Sequence, residues 1–226
     1  MNLSNDSAIR HMKNKPIKIS KIIKLTNLTA AILATTLLWP SFTMGKEPSQ
    51  TVGEEQPPTQ DYIRTTVNNY FIPDVDVIRM DNNKLSLINA LDDGRPVMMN
   101  FIFASCSAIC PMLSHTFMQV QKKLGKESQN VHLVSISIDP ENDTPAVLQA
   151  YAKKFQAGSQ WDFYTGKLES SVAIQKAFNV YRGDKMNHSS VILMRAKPGK
   201  PWFRLEGFAS PQAVMDEYRT MLENSK

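Results

Sequence analysis

The chain is 226 residues long with 42% hydrophobic side chains, which fits one sizeable globular domain plus an extension. Of its 26 basic and 21 acidic side chains, six basic ones (Arg10, Lys13, Lys15, Lys18, Lys21 and Lys24) face only Asp6 within residues 1–45, leaving twenty of each sign beyond. The formal charge of +5 therefore belongs to one end, and a neutral body sets nucleic acid aside as a partner.

The basic cluster precedes an apolar stretch from Leu25 to Trp39, broken by Pro40 and followed by the small residues Ser41, Thr43 and Gly45. A positive segment followed by a short apolar one is the pattern of an export signal. Cleavage after Gly45 fits this pattern. Retained, the same segment is a membrane tether, although it is short for a span of about 20 residues. Under either reading the body is exported, periplasmic or anchored facing the periplasm, where a close cysteine pair can persist as a disulfide. Residues 46–60 are rich in Pro, Glu and Gln and read as a flexible linker.

Residues 61–226 carry the folded domain. Val75–Arg79 reads as a short strand turned by Asp81-Asn82-Asn83, and Leu85–Leu91 as a short helix. Pro96–Phe103 is a nearly continuous apolar run of strand length, as expected for a strand covered on both faces. Leu113, Phe117, Val120 and Leu124 lie on one face of a helix predicted over Met112–Lys123. Val131–Ile138 is a second buried strand. Thr144-Pro145 opens a helix through Phe155, with Thr as N-cap and Pro at the first helical position. A strand near Asp162–Tyr164 and a helix over Leu168–Phe178 follow. His188–Met194 and Trp202–Gly207 form a strand pair, and Ser210-Pro211 caps a last helix to about Glu223. Alternating strands and helices closed by a hairpin predict an α/β domain with a central sheet and helices on both faces.

Cys106 and Cys110 are the only cysteines, in Phe103-Ala104-Ser105-Cys106-Ser107-Ala108-Ile109-Cys110-Pro111. Four residues is about one helical turn, so the sulfurs can lie close together where a buried strand hands over to a helix. That spacing suits either a reversible disulfide or two soft ligands for one metal ion. A disulfide across so short a loop constrains little chain entropy, so a merely stabilising role is disfavoured. Reactive groups collect at the carboxyl ends of strands in such sheets, and the N–H groups of the following helix favour a thiolate there.

The motif Cys106–Pro111, the run Ser135-Ile136-Ser137-Ile138-Asp139-Pro140-Glu141-Asn142-Asp143-Thr144-Pro145 and a late His188 opening a strand resemble the Sco/SenC family. Its members are thioredoxin-fold copper chaperones involved in assembling the copper centre of cytochrome c oxidase. The resemblance covers about Asp74 to the C-terminus. It implies a thioredoxin-like fold with a central mixed sheet, and a copper ion bound by Cys106, Cys110 and His188. It also implies a partner that accepts the copper, such as a cytochrome oxidase subunit. Two thiolates and an imidazole suit copper, whereas zinc normally takes a fourth ligand or an open catalytic position.

The alternative is a thiol–disulfide oxidoreductase that keeps the cysteines of a metal-acceptor protein reduced, with Cys106 attacking and Cys110 resolving. Against it stand the wide cysteine spacing and the lack of a proline before His188, where Asn187 stands. Other candidates read as ordinary residues. His115 lies about 200° around its helix from Leu113 and is expected in solvent. Met186 reads as packing, His132 as a strand residue, and Asp139 and Glu141 as shaping a turn and the next helix start.

Overall fold

The computed structural model describes residues 61–225, so the expected export segment (1–45) and linker (46–60) lie outside the described residues. Eight strands form one mixed sheet: β1 (Tyr62–Val67), β2 (Asp76–Arg79), β3 (Lys84–Ser86), β4 (Val97–Ile102), β5 (His132–Ser137), β6 (Trp161–Gly166), β7 (Val191–Arg195) and β8 (Trp202–Gly207). Their spatial order is β1-β8-β7-β4-β5-β6-β2-β3. Strands β4, β5 and β6 run parallel, and every other neighbouring pair is antiparallel. The helices are α1 (Leu87–Leu91), α2 (Ile109–Leu124), α3 (Pro145–Lys154), α4 (Leu168–Ala177) and α5 (Pro211–Glu223).

Every residue of β4 and β5 is buried, because both faces of the sheet are covered. The register shows how. Asn100, Ser135 and Phe163 are aligned across β4, β5 and β6 and share one face, while Phe101, Ile136 and Tyr164 share the other. On the first face Phe117 of α2 packs on Trp161, which stacks on Phe163 with ring centroids 5.1 Å apart. On the second, Phe101 meets Phe178 just after α4, and Phe178 packs against Tyr70 and Trp202. Within the first layer the Ser135 hydroxyl is satisfied on both sides: it donates to the Asn100 side-chain oxygen and accepts from the Trp161 indole N–H.

Local signals set most helix starts. Thr144 accepts the N–H of Val147, and Ser210 accepts that of Ala213, each followed by a proline inside the first turn. Helix α2 begins at Ile109, three residues before the start at Met112 that the apolar periodicity predicts, so Cys110 lies inside its first turn. Pro111 is tolerated there because the first N–H groups of a helix have no intrahelical acceptor.

Three expectations change. Leu85 and Ser86, expected to start a helix, belong instead to strand β3. Ser86 ends the hairpin with β2 and caps α1 by accepting the N–H of Asn89. Strand β1 has no counterpart in the sequence reading, since it is an edge strand whose central residues are exposed and carry little apolar signal. His188 does not open a strand. A short 3₁₀ turn (Lys185–Asn187) ends just before it and β7 begins only at Val191.

The topology places the site. Because β4 and β5 are parallel neighbours, the loops after them emerge side by side at one end of the sheet. Because β7 is antiparallel to β4, the segment entering β7 arrives at that same end. Residues about 80 positions apart are thereby brought together by strand direction alone. No helix among the described residues is long and apolar enough to cross a membrane.

Candidate metal centre

Cys106 follows β4 in a tight turn, its N–H bonded to the carbonyl of Phe103. Cys110, in the first turn of α2, is fully buried, and its sulfur accepts the N–H of Phe103 at 3.4 Å. Cys106 is half-buried, and its sulfur accepts the N–H of Cys110 at 3.4 Å, so the two residues are locked across the helix start. His188 brings Nε2 to 3.3 Å from the Cys110 sulfur. Its Nδ1 lies 2.8 Å from the carbonyl of Lys185, so the ring proton is assigned to Nδ1 and Nε2 is left free to accept or to ligate. Phe103 packs edge-on against the imidazole.

Ligand atoms of Cys106, Cys110 and His188 all lie within 4.8 Å of one another, and among the described residues they form the one Cys/His/Asp/Glu group arranged to hold a metal ion. Both cysteines are thiols. His115 stays on the exposed face of α2, with its ring near Gln119. Met186 points outward from the 3₁₀ turn and is 69% exposed. His132 is buried at the other end of β5, against Asp93 and Asp162.

The two sulfurs differ electrostatically. Burial pushes the Cys110 thiol up, and the N–H of Phe103 only partly offsets this. Burial acts on Cys106 in the same direction, but the N–H groups of Cys110, Ala108 and Ile109 at the head of α2 outweigh it and the net shift is downward. The outer thiol is therefore the readier thiolate, and the inner one a protected donor that ionises only with help.

The acidic run after β5 does more than turn the chain and start α3. Asp143, 1% exposed, accepts the N–H of Ala104 with both carboxylate oxygens and the hydroxyl of Ser137 at 2.6 Å. It thereby ties the cysteine loop to the end of β5. Burial holds its carboxyl above the usual carboxylate range. Asp139, also buried, ion-pairs with Lys185 Nζ at 2.6 Å and accepts from the Asn142 side chain. Glu141 is exposed. Nothing in the local pattern around residue 185 marks Lys185 as part of the site. Its partner is 46 residues away and becomes adjacent only through the sheet.

A family model, SCO1/SenC, matches residues 80–223. The chain belongs to the SCO1/SenC family. Over 80 residues it is 38% identical to the SCO1 protein homolog of Bacillus subtilis, a match covering 35% of this chain and 42% of that one. The chain thus spans less than half the length of this curated relative. Among solved structures, that of BsSco, described as having a disulfide switch and as a member of the Sco family of cytochrome c oxidase assembly proteins, is 28% identical. Its TM-score is 0.57, and the match covers 69% of this chain and 95% of that one. Yeast Sco1 with copper bound shares the fold, with a TM-score of 0.57 at 21% identity over 70% of this chain and 92% of that one. The thioredoxin-like mixed sheet is that of these SCO1/SenC proteins.

Two outcomes follow from this geometry. Alkylation of the reduced protein with iodoacetamide is expected to modify Cys106 first, with a pH midpoint below that of an unperturbed thiol, while Cys110 reacts only on unfolding. Peptide mass mapping against pH checks this, and equal reactivity of both thiols would contradict it. Asp143→Ala leaves the Ala104 N–H and the Ser137 hydroxyl proton without their acceptor and is expected to cost about 1–3 kcal/mol in urea unfolding. Because the folded-state value of Asp143 is raised, its own contribution favours the fold below the ordinary carboxylate range and is lost as pH rises through the raised value. Asp143→Asn should flatten that part of the pH–stability curve.

Proposed function

We propose that this SCO1/SenC protein is an exported metallochaperone that binds one copper ion through Cys106, Cys110 and His188 and passes it to a cuproprotein by ligand exchange. The observation that carries the reading is the convergence of two sulfurs and an unprotonated imidazole nitrogen within 4.8 Å, at the end of a rigid sheet. Three donors of this softness suit copper better than zinc, which prefers a fourth ligand. Copper here is cargo, and a site of three donors among the described residues leaves room for an incoming ligand from the acceptor. The copper-bound state of yeast Sco1 supports the choice of metal. The description of BsSco as a cytochrome c oxidase assembly protein supports a respiratory acceptor, such as an oxidase subunit. The basic and apolar pattern of residues 1–45 supports export to the periplasm, free or tethered.

Copper binding requires reduced thiols, so loss of two hydrogens from Cys106 and Cys110 to an oxidised thiol partner, forming their disulfide, would refuse the metal. This couples loading to redox state. One observation favours a second reading, a thiol–disulfide oxidoreductase acting on the acceptor's cysteines. Cys106 is accessible with a lowered thiol value, and Cys110 is placed to resolve a mixed disulfide.

The two readings separate at His188. The reduced protein is expected to bind about one copper per chain, and Cys106→Ser or prior oxidation should abolish this. His188→Ala should lose tight copper binding but retain dithiol exchange, which needs only the sulfurs. A strain carrying His188→Ala should fail at low copper and recover with added copper. Wild-type behaviour of that strain at low copper would contradict the chaperone reading and favour the oxidoreductase.

A further inference from the structure

The segment that delivers His188 is almost all surface. Residues 181–187 are exposed or half-exposed, Gly183 adopts a positive φ of 80°, and the short turn Lys185–Asn187 is held locally by Asp184, which accepts the N–H of Met186. Among the described residues, the hydrogen bonds and ion pairs of residues 182–187 reach another element once, through Lys185 Nζ to Asp139 at 2.6 Å. The same residue's carbonyl accepts both the backbone N–H of His188 and the ring Nδ1–H. Lys185 is therefore gripped from one side by a buried carboxylate and itself grips the imidazole on the other. Its ammonium also lies 5.5 Å from the ring of Phe103, the ring that packs edge-on against His188.

We propose that Lys185 is a positioning residue for the copper site: its ion pair with Asp139 holds the His188 loop closed, so that the imidazole is fixed in tautomer and direction toward the two sulfurs before metal arrives. Asp139 is suited to the task because it is rooted in the rigid end of β5. Its backbone N–H is held by Ser137, its carbonyl accepts from Asn142 and Asp143, and its second oxygen accepts from the Asn142 side chain. The Lys185 side chain remains about one-third exposed, so the clasp can be opened from the surface, where an acceptor would dock. Opening it swings away the nitrogen donor and leaves a dithiolate. Cu(I) tolerates that environment well, whereas Cu(II) gains more from the imidazole. The clasp is thus a specificity element as well as a support, biasing retention of Cu(II) over Cu(I).

This inference rests on the copper-site reading above, and the experiment separates the two. The reduced full chain is compared as wild type, Lys185→Met and Lys185→Arg. Copper loss to a chelator is followed for Cu(II) and Cu(I), with the sulfur-to-Cu(II) charge-transfer spectrum as a signature. Without metal, long-range ¹⁵N–¹H NMR of His188 reports the tautomer. Lys185→Met is expected to lose Cu(II) about tenfold faster, the scale of outer-shell support at metal sites. It should alter the charge-transfer spectrum, change Cu(I) loss much less and populate both tautomers, while Lys185→Arg restores wild-type behaviour. Unchanged Cu(II) loss together with a single His188 tautomer in Lys185→Met would overturn the proposal. If the wild type binds no copper, the copper-site reading fails, and the clasp stands or falls on the tautomer measurement alone.

Discussion

The site depends on one buried contact, the Asp143 carboxylate closing on the backbone N–H of Ala104. The loop that carries Cys106 leaves β4 at a place where its own N–H groups lose their ladder partners, and a buried unpaired N–H is expensive. Asp143 meets that demand and is itself satisfied by the Ser137 hydroxyl. This carboxylate costs desolvation, visible in the upward push on its own ionisation. The cost is accepted where the chain must turn sharply, hold a thiol against a helix start and remain rigid. Four residues earlier, Asp139 serves the other wall of the site through Lys185. The acidic run is therefore a bracket whose two arms hold the cysteine loop and the histidine loop to the end of one strand.

The bracket also explains the unequal chemistry of the two sulfurs. Helix α2 must begin at Ile109 for its N–H groups to surround Cys106, and the same start buries Cys110 beneath Phe103. One geometry thus makes an outer thiol that ionises readily and an inner one that is shielded. A chaperone and an oxidoreductase would both use that asymmetry. On the proposed reading His188 separates them, because dithiol exchange needs only the two sulfurs and not the imidazole nitrogen held 3.3 Å from the inner one.

Much of this is legible in the sequence. The nearly continuous apolar runs around Met98–Ile102 and Leu133–Ile136 announce strands covered on both faces, and Thr144-Pro145 and Ser210-Pro211 announce helix starts, because those signals are local. Cys106, Cys110 and His188 were singled out by spacing and by family likeness, and the fold brings them together. What stayed hidden was set by tertiary contact. Edge strand β1 has exposed central residues and no apolar alternation to betray it. The residues before Val191 read as strand because the apolar run of β7 blurs its own boundary, whereas Lys185 takes the His188 N–H and ring into a turn. Asp139, read as a turn former, does form that turn, but its pairing with Lys185 spans 46 residues and has no local signature.

The central claim is that Cys106, Cys110 and His188 together hold copper. X-ray absorption at the copper edge of the loaded, reduced protein measures it most directly. The proposed site predicts a shell of two sulfurs and one imidazole nitrogen in the wild type, with the nitrogen signature lost in His188→Ala and sulfur scattering lost in the double variant Cys106→Ser/Cys110→Ser. An oxygen and nitrogen shell without sulfur, or a shell unchanged by His188→Ala, would contradict the account.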